Sequence, residues 1–183
     1  MNLEGQIEAA NAGKFDRVRL WRQETRQGHI LLCVALWSMI AFLFIHRFVL
    51  SAVVIDGRSM LPTLFPGEQC IVNGWLPYFR DYRRGDLVVI RDEVRGELMV
   101  KRIIGVPNER VRIQNGKVYV NGEQLLEPYL SEGTYTDARE LVGTAFKLSK
   151  NQYFVLGDNR GLSEDSRFYG AVDRAHLVGL LSH

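Results

Sequence analysis

Sixteen consecutive residues, Ile30 to Ile45 (ILLCVALWSMIAFLFI), carry one polar side chain, Ser38, and this run limits what the chain can become more than any other feature. A helix packed on a water-soluble core keeps a polar face. This stretch has none. After His46-Arg47 the apolar character resumes at Phe48-Val49-Leu50, so residues 30–50 reach the roughly 17 to 25 residues of a spanning helix, whose terminal Arg can snorkel to the interface. A cleaved leader would show a short basic front and a small-x-small exit. Here 29 residues precede the run and no such exit follows. Residues 30–50 therefore read as an uncleaved transmembrane anchor in contact with membrane lipid. Lys14, Arg17, Arg19, Arg22 and Arg26 lie before it, against Arg47 and Arg58 just after. The positive-inside bias then keeps the polar tail, residues 1–29, cytoplasmic and puts residues 51–183 on the outer side.

That outer portion has 133 residues (183 − 50), enough for one core. Its apolar runs are short and β-branched: Cys70 to Val72, Leu87 to Ile90, Leu98 to Val100, Ile103-Ile104, Val111 to Ile113, Lys117 to Val120 and Tyr153 to Leu156. Asn115-Gly116 and Asn121-Gly122 favour the type I′ turns that close hairpins. The reading is a mainly β domain, with Glu123 to Lys150 as a small excursion or reduced second subdomain. Composition narrows the chemistry further. A net charge of +2 from 23 basic and 21 acidic residues makes no case for nucleic acid. Cys33 sits in the apolar run, out of reach of Cys70, and the four histidines form no HxxxH or HxxE pair. No disulfide framework, metal site or cofactor is expected.

Three stretches carry possible chemistry. The run Val53-Val54-Ile55 breaks at Asp56-Gly57, and Ser59 is held between that turn and Pro62, which pushes Leu61 out of helical space. Lys101-Arg102 interrupts the apolar segment Met99 to Gly105. Period-2 alternation sends the two cations to opposite faces, so one of them points inward unless the strand is bulged. A lysine held against an apolar face has its pKa lowered and becomes a competent base. Finally, Gly157 to Gly170 (GDNRGLSEDSRFYG) packs more polar chemistry after a strand than a plain hairpin needs. Each stretch alone also reads as ordinary structure: a turn serine, two snorkelling cations, a salt-bridged loop.

Together GRSMLPTL, GDLVVI (Gly85 to Ile90), KRIIGVPNE (Lys101 to Glu109) and GDNRGLSEDSRFYG resemble the ordered sequence boxes of type I signal peptidases, over Val53 to about Gly170. The resemblance implies a LexA-like β fold of coiled antiparallel sheets behind the anchor. It implies Ser59 as nucleophile and Lys101 as general base, with the Ser163 hydroxyl orienting the amine and Asp158, Asp165 and Arg167 bracing the site. Substrate pockets for small side chains would be lined by Val53, Ile55, Met60, Leu64 and Val100. A relative's serine that donates to the oxyanion is Gly57 here, which leaves the hole to backbone N–H groups, including that of Ser59.

The implied function is removal of signal peptides from exported preproteins after small-x-small sites, at the outer face of the plasma (inner) membrane, by a monomer. One alternative is a specialised peptidase maturing a single pilus, conjugation or mitochondrial inner-membrane substrate. Two others are a self-cleaving repressor, which the apolar run opposes, and an inactive membrane-tethered binding module, which intact Ser59 and Lys101 oppose.

Overall fold

The computed structural model describes residues 28–43, 50–92, 96–139 and 145–182. The chain divides into two units, Met1–His46 and Arg47–His183. In the first, residues 28–43 form helix α1, whose apolar side chains are exposed, Trp37 by 71% and Leu31 by 69%. Among the described residues no helix is long and apolar enough to cross a membrane. The tail, residues 1–27, and the continuation at 44–49 lie outside the described residues. Leu50, the expected outer limit of the anchor, pairs with Asn73 in a sheet.

The second unit is built from antiparallel strands: β1 (Leu50–Val54), β2 (Gln69–Asn73), β3 (Leu87–Arg91), β4 (Leu98–Gly105), β5 (Arg110–Gln114), β6 (Lys117–Val120), β7 (Glu123–Gln124), β8 (Ala145–Lys147), β9 (Gln152–Leu156), β10 (Val172–Asp173) and β11 (Leu177–Ser182). Two short α-helices, α2 (Leu76–Phe79) and α3 (Ser166–Tyr169), and a 3-10 turn at Arg174–His176 lie between them. One sheet runs β1-β2-β11-β3-β4-β9-β10 and the other β7-β6-β5-β8. The two Asn-Gly pairs close hairpins as their chemistry requires: Asn115 and Gly116 have φ of 50° and 75°, Asn121 and Gly122 of 53° and 93°. In β5 the alternation is strict, with Val111 and Ile113 buried and Arg110, Arg112 and Gln114 exposed. The excursion Glu123 to Lys150 supplies the outer strands β7 and β8 of this second sheet.

Packing on both faces of the large sheet sets the site. Val88 and Ile90 of β3 join one buried cluster while Leu87 and Val89 join another. On β4, Ile103 and Ile104 likewise enter different clusters. Alternation therefore does not send one of the two adjacent cations to water. Lys101 is 3% exposed and Arg102 8%, so the expectation that only one points inward is corrected: both are buried.

Candidate active site

Ser59 opens a tight turn immediately after β1. Leu64 N–H donates to Met60 O at 3.0 Å, and the side chains of Met60 and Leu64 are buried beneath the turn, anchoring it to the cluster around Cys70, Val72 and Val89. The Leu61-Pro62 bond within it is cis. From the other side, the loop after β9 grips the turn: Asn159 N–H donates to Ser59 O at 2.9 Å and its side-chain amide to Arg58 O at 3.1 Å. Ser59 itself is half-buried, so its hydroxyl is held but reachable.

Strand β4 delivers Lys101 to this turn. Its Nζ lies 3.1 Å from Ser59 Oγ, across 42 positions of sequence. Burial lowers the pKa of the amine; Asp165 and Glu164 oppose that shift and Arg167 assists it. Desolvation dominates: the charged form loses its water, and the charges of the two carboxylates offset only part of that loss. A neutral amine in contact with a hydroxyl can accept its proton.

The polar residues expected around the pair form two buried ion pairs. Arg102 Nε and Nη2 donate to Asp158 Oδ1 and Oδ2 at 2.9 and 2.6 Å, and Thr63 Oγ1 donates to Oδ2 at 2.5 Å. Asp165 accepts from Arg167 Nε and Nη2 at 2.8 and 2.9 Å and from Gly157 N–H at 3.0 Å, while its Oδ1 also caps α3 through Arg167 N–H. The Ser163 hydroxyl is buried and, among the described residues, has no hydrogen-bond partner, Lys101 included. It lies against Gly157, where an added Cβ would come within 2.2 Å of Ser163 Oγ and 2.5 Å of Ser59 O. Only glycine allows the two loops to approach this closely.

Between β1 and β4 opens a cleft of about 350 Å³. Val53, Ile55, Met60 and Val100 line it together with Ser59 and Lys101, as does Gly57. Leu64, expected beside them, is not in this lining; fully buried, it packs in the core below the turn. Ser59 N–H makes no hydrogen bond among the described residues, and a Cβ on Gly57 would meet nothing nearer than that nitrogen, at 4.0 Å. Space and a donor for a developing oxyanion thus coincide there.

Sequence reasoning missed several supporting residues: Thr63, Arg102 as the partner of Asp158, Asn159, and Arg160 with Glu127 and Thr136. Asn159 and Arg160 stood inside a recognised box. Glu127 and Thr136 carried no local signal, since their role arises only when the excursion folds onto that loop.

Known proteins match this sequence along most of the chain. The family model described as signal peptidase, peptidase S26, matches residues 27–182. Signal peptidase I P of Bacillus subtilis subsp. natto is 36% identical over 150 residues, covering 78% of this chain and 80% of that protein. Signal peptidase I T of Bacillus subtilis (strain 168) is 37% identical over 150 residues, with 78% and 77% covered. A signal peptidase I of Bacillus amyloliquefaciens reaches 38% over 156 residues, with 82% and 78% covered. A buried lysine against a turn serine, in a mainly β domain whose chain matches that family almost throughout, identifies this protein as a member of the signal peptidase S26 family, a serine endopeptidase.

Proposed function

We propose that this protein cleaves signal peptides from exported preproteins with Ser59 as nucleophile and Lys101 as general base. The observation that carries the reading is the 3.1 Å approach of a buried lysine amine to Ser59 Oγ. Neutral Lys101 takes the hydroxyl proton as Oγ attacks the scissile carbonyl, and the resulting oxyanion lies against Ser59 N–H. The ammonium then returns the proton to the departing amine of the mature chain, leaving an acyl-enzyme. A water deprotonated by the same amine adds to the ester carbonyl, and collapse frees the signal peptide with Ser59 restored. The ion pairs at Asp158 and Asp165 hold the two loops still during both halves.

Small-x-small specificity fits a cleft of about 350 Å³ walled by Val53, Ile55 and Val100, which has room for short side chains at alternate positions of an extended substrate. The apolar run 30–45 and the basic residues before it support anchoring in the plasma (inner) membrane, with the catalytic unit on the outer face.

Incubating the detergent-solubilised protein with a preprotein tests the chemistry: cleavage by wild type and none by Ser59→Ala is expected. Cleavage by Ser59→Ala, or none of a panel of preproteins cut by wild type, would sink the reading. Protease added to spheroplasts tests the anchoring and should digest the catalytic unit; protection of that unit would reverse the topology.

A further inference from the structure

The described part of the excursion between β7 and β8 is fastened to the loop behind Ser59 chiefly by one arginine. Arg160 is 2% exposed, and its guanidinium donates four hydrogen bonds. Nη2 donates to Glu127 Oε1 at 2.5 Å, Nη1 to Thr136 Oγ1 at 2.6 Å and to Glu127 Oε2 at 3.3 Å, and Nε to Gly157 O at 3.1 Å. The neighbouring residue, Asn159, is the one whose N–H holds Ser59 O.

Glu127 also reaches the other side of the site. It accepts from Tyr129 Oη at 2.8 Å, and the Arg102 guanidinium stacks 3.9 Å from the centre of the Tyr129 ring. Arg102 is the chain neighbour of Lys101 and the partner of Asp158. One carboxylate of the excursion therefore joins two tethers, of which one ends at the carbonyl of Ser59 and the other beside Lys101.

We propose that Glu127 is a positioning residue for the Ser59–Lys101 pair, fixing Arg160 and hence the Gly157–Ser163 loop at the place from which Asn159 holds the nucleophile's turn. The physical case is geometric. A buried guanidinium presents five donors in a rigid fork, and removing the carboxylate that accepts two of them forces it to find new acceptors. The loop it holds by Gly157 O moves with it. A misplacement of about 1 Å at reacting atoms can cost about 10²-fold in rate. The cleft walls contributed by Val53 to Gly57 and Leu98 to Val100 include neither Glu127 nor Arg160. The effect therefore falls on turnover and leaves substrate affinity alone.

This inference rests on the serine–lysine reading, so Ser59→Ala and Lys101→Arg are run beside the variants that test it. With the full-length protein and a small-x-small peptide substrate, Glu127→Ala is expected to lower kcat about tenfold or more with KM within about twofold. Glu127→Gln, which keeps one acceptor, should recover part of the loss. Thr136→Val, which removes one acceptor of Arg160 at nearly constant volume, should show a smaller drop in kcat; it and the Gln variant decide the matter if the Ala variant does not fold. A lower Tm with kcat unchanged in the folded protein, or a raised KM with kcat intact, overturns the proposal. Cleavage surviving in Ser59→Ala or Lys101→Arg would instead remove the dyad beneath it, whatever the Glu127 variants do.

Discussion

Lys101 Nζ and Ser59 Oγ stand 3.1 Å apart, although the lysine comes from the middle of a central strand and the serine from the turn after an edge strand. The contact is possible because β4 is packed on both faces, so the lysine stem runs through apolar surroundings and only its tip meets a polar group. The same burial that brings the amine to the hydroxyl also strips its water. Position and basicity thus have one cause.

Lys101 should show its lowered pKa in the pH dependence of activity. Only the neutral amine accepts a proton, so kcat/KM should fall as pH drops through a midpoint below the ordinary lysine value of about 10.4. Lys101→Arg keeps the charge without a usable base, and Lys101→Met keeps the stem alone; both should reduce the rate by several orders of magnitude. An arginine variant cleaving at near wild-type rate would end the assignment.

The same shift carries a stability consequence of opposite sign to that of a paired cation. The unfolded lysine binds a proton more readily than the folded one, so folding stability from this group rises with pH between the lowered folded pKa and about 10.4, and the cost is fully present below the folded value. Lys101→Met, which has no charge to desolvate, should therefore melt at the wild-type temperature or above it at neutral pH while inactive. Calorimetry of the two proteins checks this, and a marked drop in Tm would show that the amine makes stabilising contacts.

Arg102 and Asp158 form an ion pair whose aspartate side chain is fully buried. Arg102→Ala leaves that carboxylate without its main partner, and loss of one member of a buried pair costs about 3–5 kcal/mol. Denaturant titration should show a loss of that order, with Arg102→Met/Asp158→Asn recovering part of it. A loss below about 1 kcal/mol would mean that the pair behaves like a surface bridge.

Gly157→Ala should be damaging out of proportion to one methyl group. The added carbon would sit 2.2 Å from Ser163 Oγ and 2.5 Å from Ser59 O, and the second is backbone that cannot rotate away. Reduced soluble yield or Tm together with loss of cleavage is the expected result. A fully active alanine variant would show that the Ser59 turn and the loop after β9 are not closed together in the working enzyme.

Gly57 offers the opposite case. Its φ is not left-handed and a side chain there points into open space near Ser59 N. Gly57→Ala should leave Tm and kcat close to wild type, whereas Gly57→Ser adds a hydroxyl beside the oxyanion donor. Since removing one such donor elsewhere costs about 10²–10³ in kcat, a gain in kcat of up to about tenfold with KM unchanged is expected. A fall in kcat with Ser but not Ala would place the oxyanion elsewhere.

Local chemistry was legible in the sequence wherever a neighbour decides the conformation. The Asn-Gly pairs at 115–116 and 121–122 closed the hairpins they encode, because Asn and Gly adopt φ above zero at little cost. Alternation in Val111 to Ile113 gave the buried face of β5, and the ordered boxes around Ser59, Lys101 and Asp158 identified the residues that converge. Long-range pairing carried no such signal. Strand β11, inserted between β2 and β3, escaped notice because Gly179 interrupts its pattern; that glycine is there to pass Asn73 O, which a Cβ would meet at 2.8 Å. The burial of Arg102, the place of Leu64 under the turn and the reach of Glu127 to Arg160 likewise depend on which faces are covered once the sheets have formed. Residue type and spacing determine what a side chain can do; only packing on both faces of β3 and β4 decided which of these side chains lost their water and met one another.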